Sequence, residues 1–314
     1  MMMRLLPLLL LAGASAASAF GWGCEAHQMI ALTTRAHLTP AASRAVDELL
    51  RQYPMDPALK RFCRERQADI MADSATWADD VRLKLDDPWH FIDIPLAILK
   101  PVADITPWCS PLDLSVRGGQ ASGCVVSAID YNRKVLEDRG LPGTQRADAL
   151  RFLIHFFADI TQPLHNVNDT GGNCNSVTFY DQERPTNIHS LWDSGILTHI
   201  RSGRKVSGTV LFAEMDRRYA SRGKGWARGK TDPVKWSWEA HRMGVEVAYG
   251  ALSPQIPAEI TAMEGNCDAE KAKSAELNIH VGDAYVNRAW PLMQEQMMKA
   301  AYRLAGYLNS SLGR

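Results

Sequence analysis

The sequence predicts a mainly α-helical fold gathered into one domain. The strongest pattern is a stripe of apolar residues spaced three and four positions apart near the C-terminus: Trp290, Met293, Met297, Ala301, Leu304 and Leu308. This spacing places the six side chains on one face of a long helix. Strand-like alternation is scarce, and the chain has neither an internal repeat nor a long linker. Residues 22–314 are therefore expected to form a single helical domain.

The same spacing predicts further helices in chain order, at about 25–38, 41–52, 58–75, 124–139, 146–161, 187–201, 207–221 and 233–250. A short extended segment is expected at 89–94, between Pro88 and Pro95, because the residue before a proline disfavours the helical region. The stretch SRGKGWARGK at 221–230 is the most loop-like part of the second half. Its basic residues around Trp226 suit contact with a phosphate chain and a base, but the pattern favours a solvated glycine-rich loop.

Charge and composition exclude several classes of protein. The chain has 314 residues, with 35 basic and 35 acidic side chains and 46% hydrophobic residues, which is typical of a globular protein. The net charge of zero argues against a general electrostatic clamp on duplex DNA, because such binding needs many cationic side chains. Nine His and nine Trp are many for this length.

The N-terminus is expected to be a signal peptide. Arg4 supplies the positive charge, residues 5–12 form an apolar run, and residues 15–21 are a small-residue run suited to signal peptidase. Cleavage after Ala19 and cleavage after Gly21 both fit the pattern, and the second leaves Trp22 as the first residue. The mature protein is therefore expected to be secreted or periplasmic.

The cysteines favour disulfides over a metal-thiolate site. Six Cys, at 24, 63, 109, 124, 174 and 267, form an even set in an exported chain, and none belongs to a CxxC pair. Cys109 and Cys124 flank a loop rich in Gly and Ser and are the easiest pair to close. The other four allow three pairings, among which the sequence does not decide.

The chemistry-bearing residues are His and Asp at helical spacing. His155 and Asp159 lie four residues apart, as do His189 and Asp193, so that each pair can reach one ion from one helix face. Any one such pair is often a surface ion pair, and a lone His is more often a core residue than a ligand. Further candidates in neighbouring motifs are His27, Asp79, His90 and His165. Imidazole and carboxylate donors together are typical of zinc in exported hydrolases.

Five motifs in chain order carry a family resemblance. They are WGCEAHQMIA (22–31), SATWADDVR (74–82), WHFIDI (89–94), ALRFLIHFFADITQPLHNVNDTGGN (149–173) and NIHSLWD (187–193). Together they resemble the zinc-dependent single-strand nucleases of the S1/P1 type, also called type I nucleases. The resemblance implies a helical fold of the phospholipase C and single-strand nuclease type, with three zinc ions in a cleft.

By this resemblance, each ion has a set of ligands. The first is held by Asp79, His90, His155 and Asp159, the second by His165, His189 and Asp193, and the third by His27, Asp159 as a bridge and the amine and carbonyl of Trp22. The last assignment implies signal cleavage after Gly21, because a free amine binds zinc whereas an amide nitrogen is not basic enough.

The resemblance also implies the reaction. Two ions bridged by Asp159 would lower the pKa of a shared water, which attacks the phosphorus and releases 5′-phosphorylated products from single-stranded DNA or RNA. Asp79 and Asp159 would act through the metals, and Arg82 would bind the phosphate, although a surface role for Arg82 stays open. Phe91 and Asp93 would stack on and hydrogen-bond an unpaired base. A monomer is expected, and 3′-nucleotidase activity is left open.

Two alternatives stay open at this stage. A zinc-dependent phospholipase C of related fold would use a similar metal set, and a non-catalytic zinc-binding protein would close its sites with protein ligands. His37, His199, His241 and His280 have no place in the motifs and are expected to be ordinary surface or core residues. Trp77, Trp89 and Trp192 are expected to pack around the ligands.

Overall fold

A bundle of helices surrounds one long C-terminal helix. The computed structural model describes residues 22–85, 87–112, 122–168, 172–252, 263 and 265–313, and the side chains of residues 82–87 fall outside this description. The helices are α1 (Cys24–Ala36), α2 (Pro40–Gln52), α3 (Ile70–Ser74), α4 (Trp77–Leu85), α5 (Val125–Glu137), α6 (Gly143–Asp159), α7 (Ile188–Ser190), α8 (Ile196–Arg204), α9 (Gly208–Arg228), α10 (Pro233–Met243), α11 (Cys267–Leu277) and α12 (Asp283–Leu312). The prediction of a mainly α fold is confirmed.

Short turns and strands complete the described part. Two 3₁₀ turns span Asp87–His90 and Pro163–Asn166, and two π turns span Leu191–Gly195 and Gly244–Tyr249. The strands β1 (Ser176–Phe179), β2 (Thr186–Asn187) and β3 (His280–Val281) form one small sheet in the order β2-β1-β3. β1 pairs antiparallel with β2 and parallel with β3.

The core lies on both sides of α6 and α12. Leu150, Leu153 and Phe157 of α6 pack with α5 and with Leu304 and Leu308 of α12 in one apolar cluster. The other cluster gathers α1, α9 and the N-terminal half of α12. The predicted stripe of the C-terminal helix is therefore buried except at Trp290, which is half-buried, and α12 extends beyond the stripe at both ends.

Three disulfides tie the loops to this bundle. Cys109 bonds Cys124, as expected, and the remaining pairs are Cys24–Cys63 and Cys174–Cys267. Cys24–Cys63 joins the first residue of α1 to the irregular segment that precedes α3. No helix of the described residues is both long and apolar enough to cross a membrane.

The predicted helix at 58–75 is wrong over most of its length. Only Ile70–Ser74 is helical, and the side chain of Asp69 caps it by accepting a hydrogen bond from the backbone N–H of Ala72. The preceding segment is held by long-range contacts instead. Arg61 forms ion pairs with Asp73 and Asp80, at 3.1 and 3.0 Å. Tertiary contacts therefore override the local helical pattern here.

Two other expectations need correction. The stretch 221–230 is not a loop, because α9 continues through its glycines to Arg228. Gly223 faces the ring of Tyr302 so closely that a Cβ would overlap it, which shows that this glycine serves helix packing. The segment 89–94 is only partly as predicted, because Trp89 and His90 end a 3₁₀ turn. Helices α4 and α11 lie outside the predicted set.

Candidate metal centre

Helix α6 supplies the centre of the site. His155 and Asp159 are fully buried one helical turn apart, and His155 Nε2 lies 3.0 Å from Asp159 Oδ2. The opposite face of α6 carries its apolar stripe, so both faces of this helix are buried in the domain.

A first group of donors combines α4, the first 3₁₀ turn and α6. His90 Nδ1 lies 3.1 Å from His155 Nε2 and 3.0 Å from Asp159 Oδ2. Asp79 Oδ1 lies 3.5 Å from His155 Nε2 and 3.7 Å from His90 Nδ1. These are the four residues that the family resemblance assigns to one ion.

A second group adds α1. His27 Nε2 lies 3.2 Å from Asp159 Oδ1, and the His27 ring stacks on His155 with 4.0 Å between ring centroids. Asp159 therefore turns one oxygen toward His27 and the other toward His90 and His155, which is the arrangement a bridging carboxylate needs. Trp22 is fully buried, and its indole N–H donates at 3.2 Å to Thr161, which is two residues after Asp159.

A third group lies on the second 3₁₀ turn and the segment after β2. His165 Nε2 lies 3.2 Å from His189 Nε2, and His189 Nε2 lies 3.1 Å from Asp193 Oδ2. His189 belongs to α7 and Asp193 to the π turn that follows, so this pair lies where the helix departs from α geometry. His165 also approaches Asp159, at 3.9 Å, which brings the three groups into one buried centre.

The donor geometry fits a tetrahedral metal such as zinc. Two donors on one such ion, each bonded at about 2.0–2.1 Å, lie about 3.3 Å apart. The donor separations above run from 3.0 to 3.7 Å within the three groups. Three buried donor atoms, namely His27 Nε2, Asp159 Oδ1 and Asp79 Oδ1, lie only 3.2–3.7 Å from neighbouring donors without forming a hydrogen bond of normal geometry. Buried polar atoms that make no hydrogen bond are costly, so a cation is the natural complement of this centre.

Outer hydrogen bonds orient the ligand side chains. His155 Nδ1 lies 2.7 Å from the carbonyl oxygen of Ala75, and His165 Nδ1 lies 2.7 Å from that of His90. A carbonyl can only accept, so each ring carries a proton on Nδ1 and turns Nε2 toward the other donors, where a metal would bind. Gln162 donates to Asp193 Oδ1 at 2.6 Å. Sequence reasoning missed Gln162, although it stands inside the QPLH motif.

The electrostatics follow from burial and from these contacts. Burial would raise the pKa of Asp159, but His155, His27 and His90 outweigh it and hold that pKa well below its ordinary value. Burial would lower the pKa of His155, but Asp159 and Asp79 raise it well above its ordinary value. Burial lowers the pKa of His165 to about 3 and raises that of Asp193 to about 6. His165 is therefore neutral, as a metal ligand must be.

The segment after His90 lies against the ligand-bearing turn of His165 and the start of α5. The backbone N–H of Ile92 donates to the carbonyl of His165 at 2.9 Å, and that of Val125 donates to the carbonyl of Phe91 at 3.0 Å. Phe91 and Asp93, the proposed base contacts, are both half-buried on this segment. The side chain of Arg82 lies outside the described residues, so its expected contact with phosphate stays a prediction.

The remaining His and Trp residues have contacts of their own. His37 pairs with Asp216 at 2.8 Å, His199 stacks on Tyr180, and His241 lies buried between two backbone carbonyls. Trp77 and Trp89 pack edge-on against Phe152, and Trp192 donates to Tyr285 at 2.7 Å. These three tryptophans thus contact Phe152 and Tyr285, and their expected role in orienting the ligands stays a prediction.

Comparison with known proteins places this chain in a family. The family model described as S1/P1 nuclease matches residues 22–313. The chain belongs to the S1/P1 nuclease family. It is similar to nuclease S1 of Aspergillus oryzae, with 27% identity over 98% of each chain, and to nuclease P1 of Penicillium citrinum, with 26% identity over 93% of this chain and 98% of the relative. Endonuclease 2 of Arabidopsis thaliana is 27% identical over 93% of this chain and 91% of its own length.

The family identifies the enzyme class. Members are hydrolases acting on phosphodiester bonds, which confirms the predicted class and makes this chain a nuclease. The alternative of a zinc-dependent phospholipase C is not favoured, since the relatives are named as nucleases and endonucleases.

Proposed function

We propose that this nuclease is an exported, zinc-dependent endonuclease that cuts single-stranded DNA and RNA and leaves 5′-phosphorylated products. The observation that carries the proposal is the buried convergence of five imidazoles and three carboxylates around Asp159. Family membership indicates phosphodiester hydrolysis. The imidazole and carboxylate donors indicate that a metal ion binds in the centre.

Three zinc ions are proposed, held by the ligand sets implied by the sequence. The two-sided contacts of Asp159 support its role as a bridge between the ion at His90 and His155 and the ion at His27. His165, His189 and Asp193 supply three donors for the remaining ion, which leaves a coordination position for water or substrate. The free amine of Trp22 is the proposed additional donor beside His27.

The chain's own residues would bind the zinc ions and orient the ligand side chains. Bound zinc would supply positive charge and lower the pKa of water toward neutrality. The carbonyls of Ala75 and His90 fix the tautomers of His155 and His165, so that neither ring must reorient during turnover. Gln162 fixes the Asp193 carboxylate. This preorganisation favours a transition state that gains negative charge at the phosphate.

Preference for single strands is proposed to come from Phe91 and Asp93. Stacking on an aromatic side chain needs an unpaired base and contributes about 1–3 kcal/mol per base. The backbone contacts of residues 91 and 92 with Val125 and His165 keep this segment beside the metal ligands. Arg82, three residues after Asp79, is proposed to bind the phosphate.

Export and a monomeric state complete the proposal. Residues 1–21 would be a signal peptide removed after Gly21, and residues 22–314 the nuclease domain. The family match begins at Trp22, and three disulfides are typical of an oxidising compartment.

The test is a substrate panel with purified mature protein. We expect cleavage of single-stranded DNA and RNA, much slower cleavage of duplex DNA, 5′-phosphate ends on the products, and loss of all activity with chelator until zinc is restored. His165→Ala should be inactive, whereas His280→Ala, at an exposed position outside the centre, should keep full activity. Cleavage of phosphatidylcholine without cleavage of nucleic acid would overturn the proposal. A 3′-nucleotide in the same panel tests for 3′-nucleotidase activity.

A further inference from the structure

A second cleft lies where the end of α9, the start of α10 and the middle of α12 meet. Its volume is about 430 Å³, within the range of about 300–1,000 Å³ common for small-molecule sites. Five of its lining residues are basic, namely Arg222, Lys230, Lys235, Lys299 and Arg303, and three are acidic, namely Asp232, Glu239 and Glu295. Part of it is the basic stretch 221–230, to which the nuclease chemistry assigns no role.

The cleft as a whole has an excess of positive charge, because five basic and three acidic side chains line it. Lys299 and Arg303 are each only 8% exposed. Arg303 pairs with Glu239 at 2.7 Å, Lys299 with Glu295 at 3.1 Å and Glu239 at 3.6 Å, and Arg222 with Glu295 at 2.8 Å. Glu239 and Glu295 therefore pair with the two buried cations and also with the exposed Arg222. The remaining positive charge of the cleft lies at its rim, so an anion bound there would offset it.

Arg303 also has an unsatisfied hydrogen-bond donor. Its Nη2 donates to Glu239, but its buried Nη1 has no hydrogen-bond partner among the described residues. Burial lowers the pKa of Arg303 although Glu239 opposes this, so its charged form is incompletely compensated. The guanidinium also lies over the ring of Trp236 at 4.7 Å, which fixes its position at the wall of the cleft.

The rim of the cleft adds cations that an anion can reach from solvent. Lys230 and Lys235 are exposed, and Asp232 between them caps α10 by accepting a hydrogen bond from the backbone N–H of Lys235. Trp226 forms another wall of the cleft, and the guanidinium carbon of Arg222 lies over its ring, 5.1 Å from the ring centroid.

This cleft lies on the side of α6 away from the metal centre. Trp236 packs edge-on against Phe157, with 5.3 Å between ring centroids. Phe157 is two residues from both His155 and Asp159, and two residues correspond to about 200° around a helix. The cleft lining and the three donor groups share no residue.

We propose that this cleft is an accessory anion site that binds a phosphate group between Lys299, Arg303 and the rim lysines. The phosphate can come from two sources, free inorganic phosphate or the phosphate of a nucleotide. Guanidinium and ammonium donors suit both, because each offers several N–H groups to phosphate oxygens. The site goes beyond the nuclease reaction and does not depend on the metal ligands.

The experiment is calorimetric titration of the zinc-loaded protein with inorganic phosphate, 5′-deoxyadenylate and deoxyadenosine. We expect a phosphate-binding event that is absent for deoxyadenosine and at least about tenfold weaker in Lys299→Met, the order expected for losing one charge-assisted contact. Lys299→Met leaves two cations for two carboxylates, so it should fold normally. Lys299→Arg keeps the charge and should keep phosphate binding. The double change Lys230→Gln with Lys235→Gln, at the rim, should weaken phosphate binding.

Lys224→Met is the matched control, since Lys224 is exposed on α9, one of the helices that form the cleft, but does not line the cleft. Hydrolysis of a short single-stranded substrate, measured alongside, should be equal in all these variants. Tighter binding of 5′-deoxyadenylate than of phosphate, lost in Lys299→Met, identifies the nucleotide as the source, and equal affinities identify free phosphate. Phosphate affinity unchanged in both Lys299→Met and the double variant would overturn the site. Hydrolysis absent from the wild type would overturn the proposed function and leave the anion site standing.

Discussion

Asp159 is the residue on which the candidate centre depends. Its two oxygens face different imidazoles, with His27 at 3.2 Å on one side and His90 and His155 at 3.0 Å on the other. Each oxygen therefore has its own set of neighbouring donors. A carboxylate with this environment can bind two ions, whereas an amide of the same shape presents one weaker oxygen donor.

We therefore expect Asp159→Asn to lose two zinc ions together and nearly all nuclease activity. Elemental analysis of the purified protein gives the metal count, and circular dichroism checks that the variant is folded. Asp193→Asn is the matched control, because the Asp193 carboxylate belongs to one donor group, that of His165 and His189, and this variant should lose a single ion. Loss of only one ion from Asp159→Asn would show that the carboxylate does not bridge.

Glu239 gives a prediction about stability and pH. Burial would raise its pKa, but Arg303 and Lys299 outweigh burial and hold it below the ordinary value of 4.5. A carboxyl group whose pKa is depressed in the folded state stabilises the protein above its unfolded pKa, and this stabilisation disappears as pH falls through the folded pKa. Its contribution should therefore be complete at neutral pH and vanish in acid.

Glu239→Gln should lower the free energy of unfolding by about 1.5–3 kcal/mol at pH 7, the range for a hydrogen bond to a charged group. The difference from wild type should persist to about pH 5 and shrink below 4.5. Urea denaturation across this pH range measures it. Glu246→Gln, at an exposed position on the following turn, should change stability by less than about 0.5 kcal/mol. A difference independent of pH would assign the effect of Glu239 to packing.

At the scale of elements, the sequence predicted the helices that bury a clear apolar stripe. Helices α6 and α12 were found this way because their spacing and their burial agree. The segment 58–75 was misread because Arg61 and the Cys24–Cys63 disulfide hold it through residues distant in sequence. For the same reason, the sequence named the donor residues of the centre but not the placement of His155 between two groups, nor the support from Gln162.

The pairing of α9 with α12 depends on small residues at their contact. A Cβ at Gly306 of α12 would overlap the backbone carbonyl of Ala227 in α9, whereas a Cβ at Gly225 of α9 would meet no atom within 4 Å. Gly306→Ala should therefore force the helices apart and lower stability by about 1–3 kcal/mol, as overpacking does. Gly225→Ala should raise stability by up to about 1 kcal/mol through helix propensity. Thermal unfolding of both variants tests this, and equal effects would contradict it.

At the scale of the whole molecule, the net charge of zero excludes only one way of binding nucleic acid. A clamp of Lys and Arg needs a strongly basic surface, whereas metal ions place positive charge inside a buried centre. The proposed nuclease would thus hold its substrate where it is cut and would not rely on its overall field. Three zinc ions would bring about six positive charges to the centre.

The proposed third ion couples signal cleavage to activity. Trp22 is fully buried, and the backbone N–H of Gly23 donates to the carbonyl of Asp193 at 2.9 Å, which holds this end of the chain at the centre. Because an amide nitrogen lacks the lone-pair basicity of an amine, a chain extended before Trp22 should bind two ions and lose most of its activity. The measurement uses a protein with a cleavable extension that ends directly before Trp22. Proteolytic removal should restore the third ion and the activity together, whereas three ions and full activity before removal would refute the role of the amine.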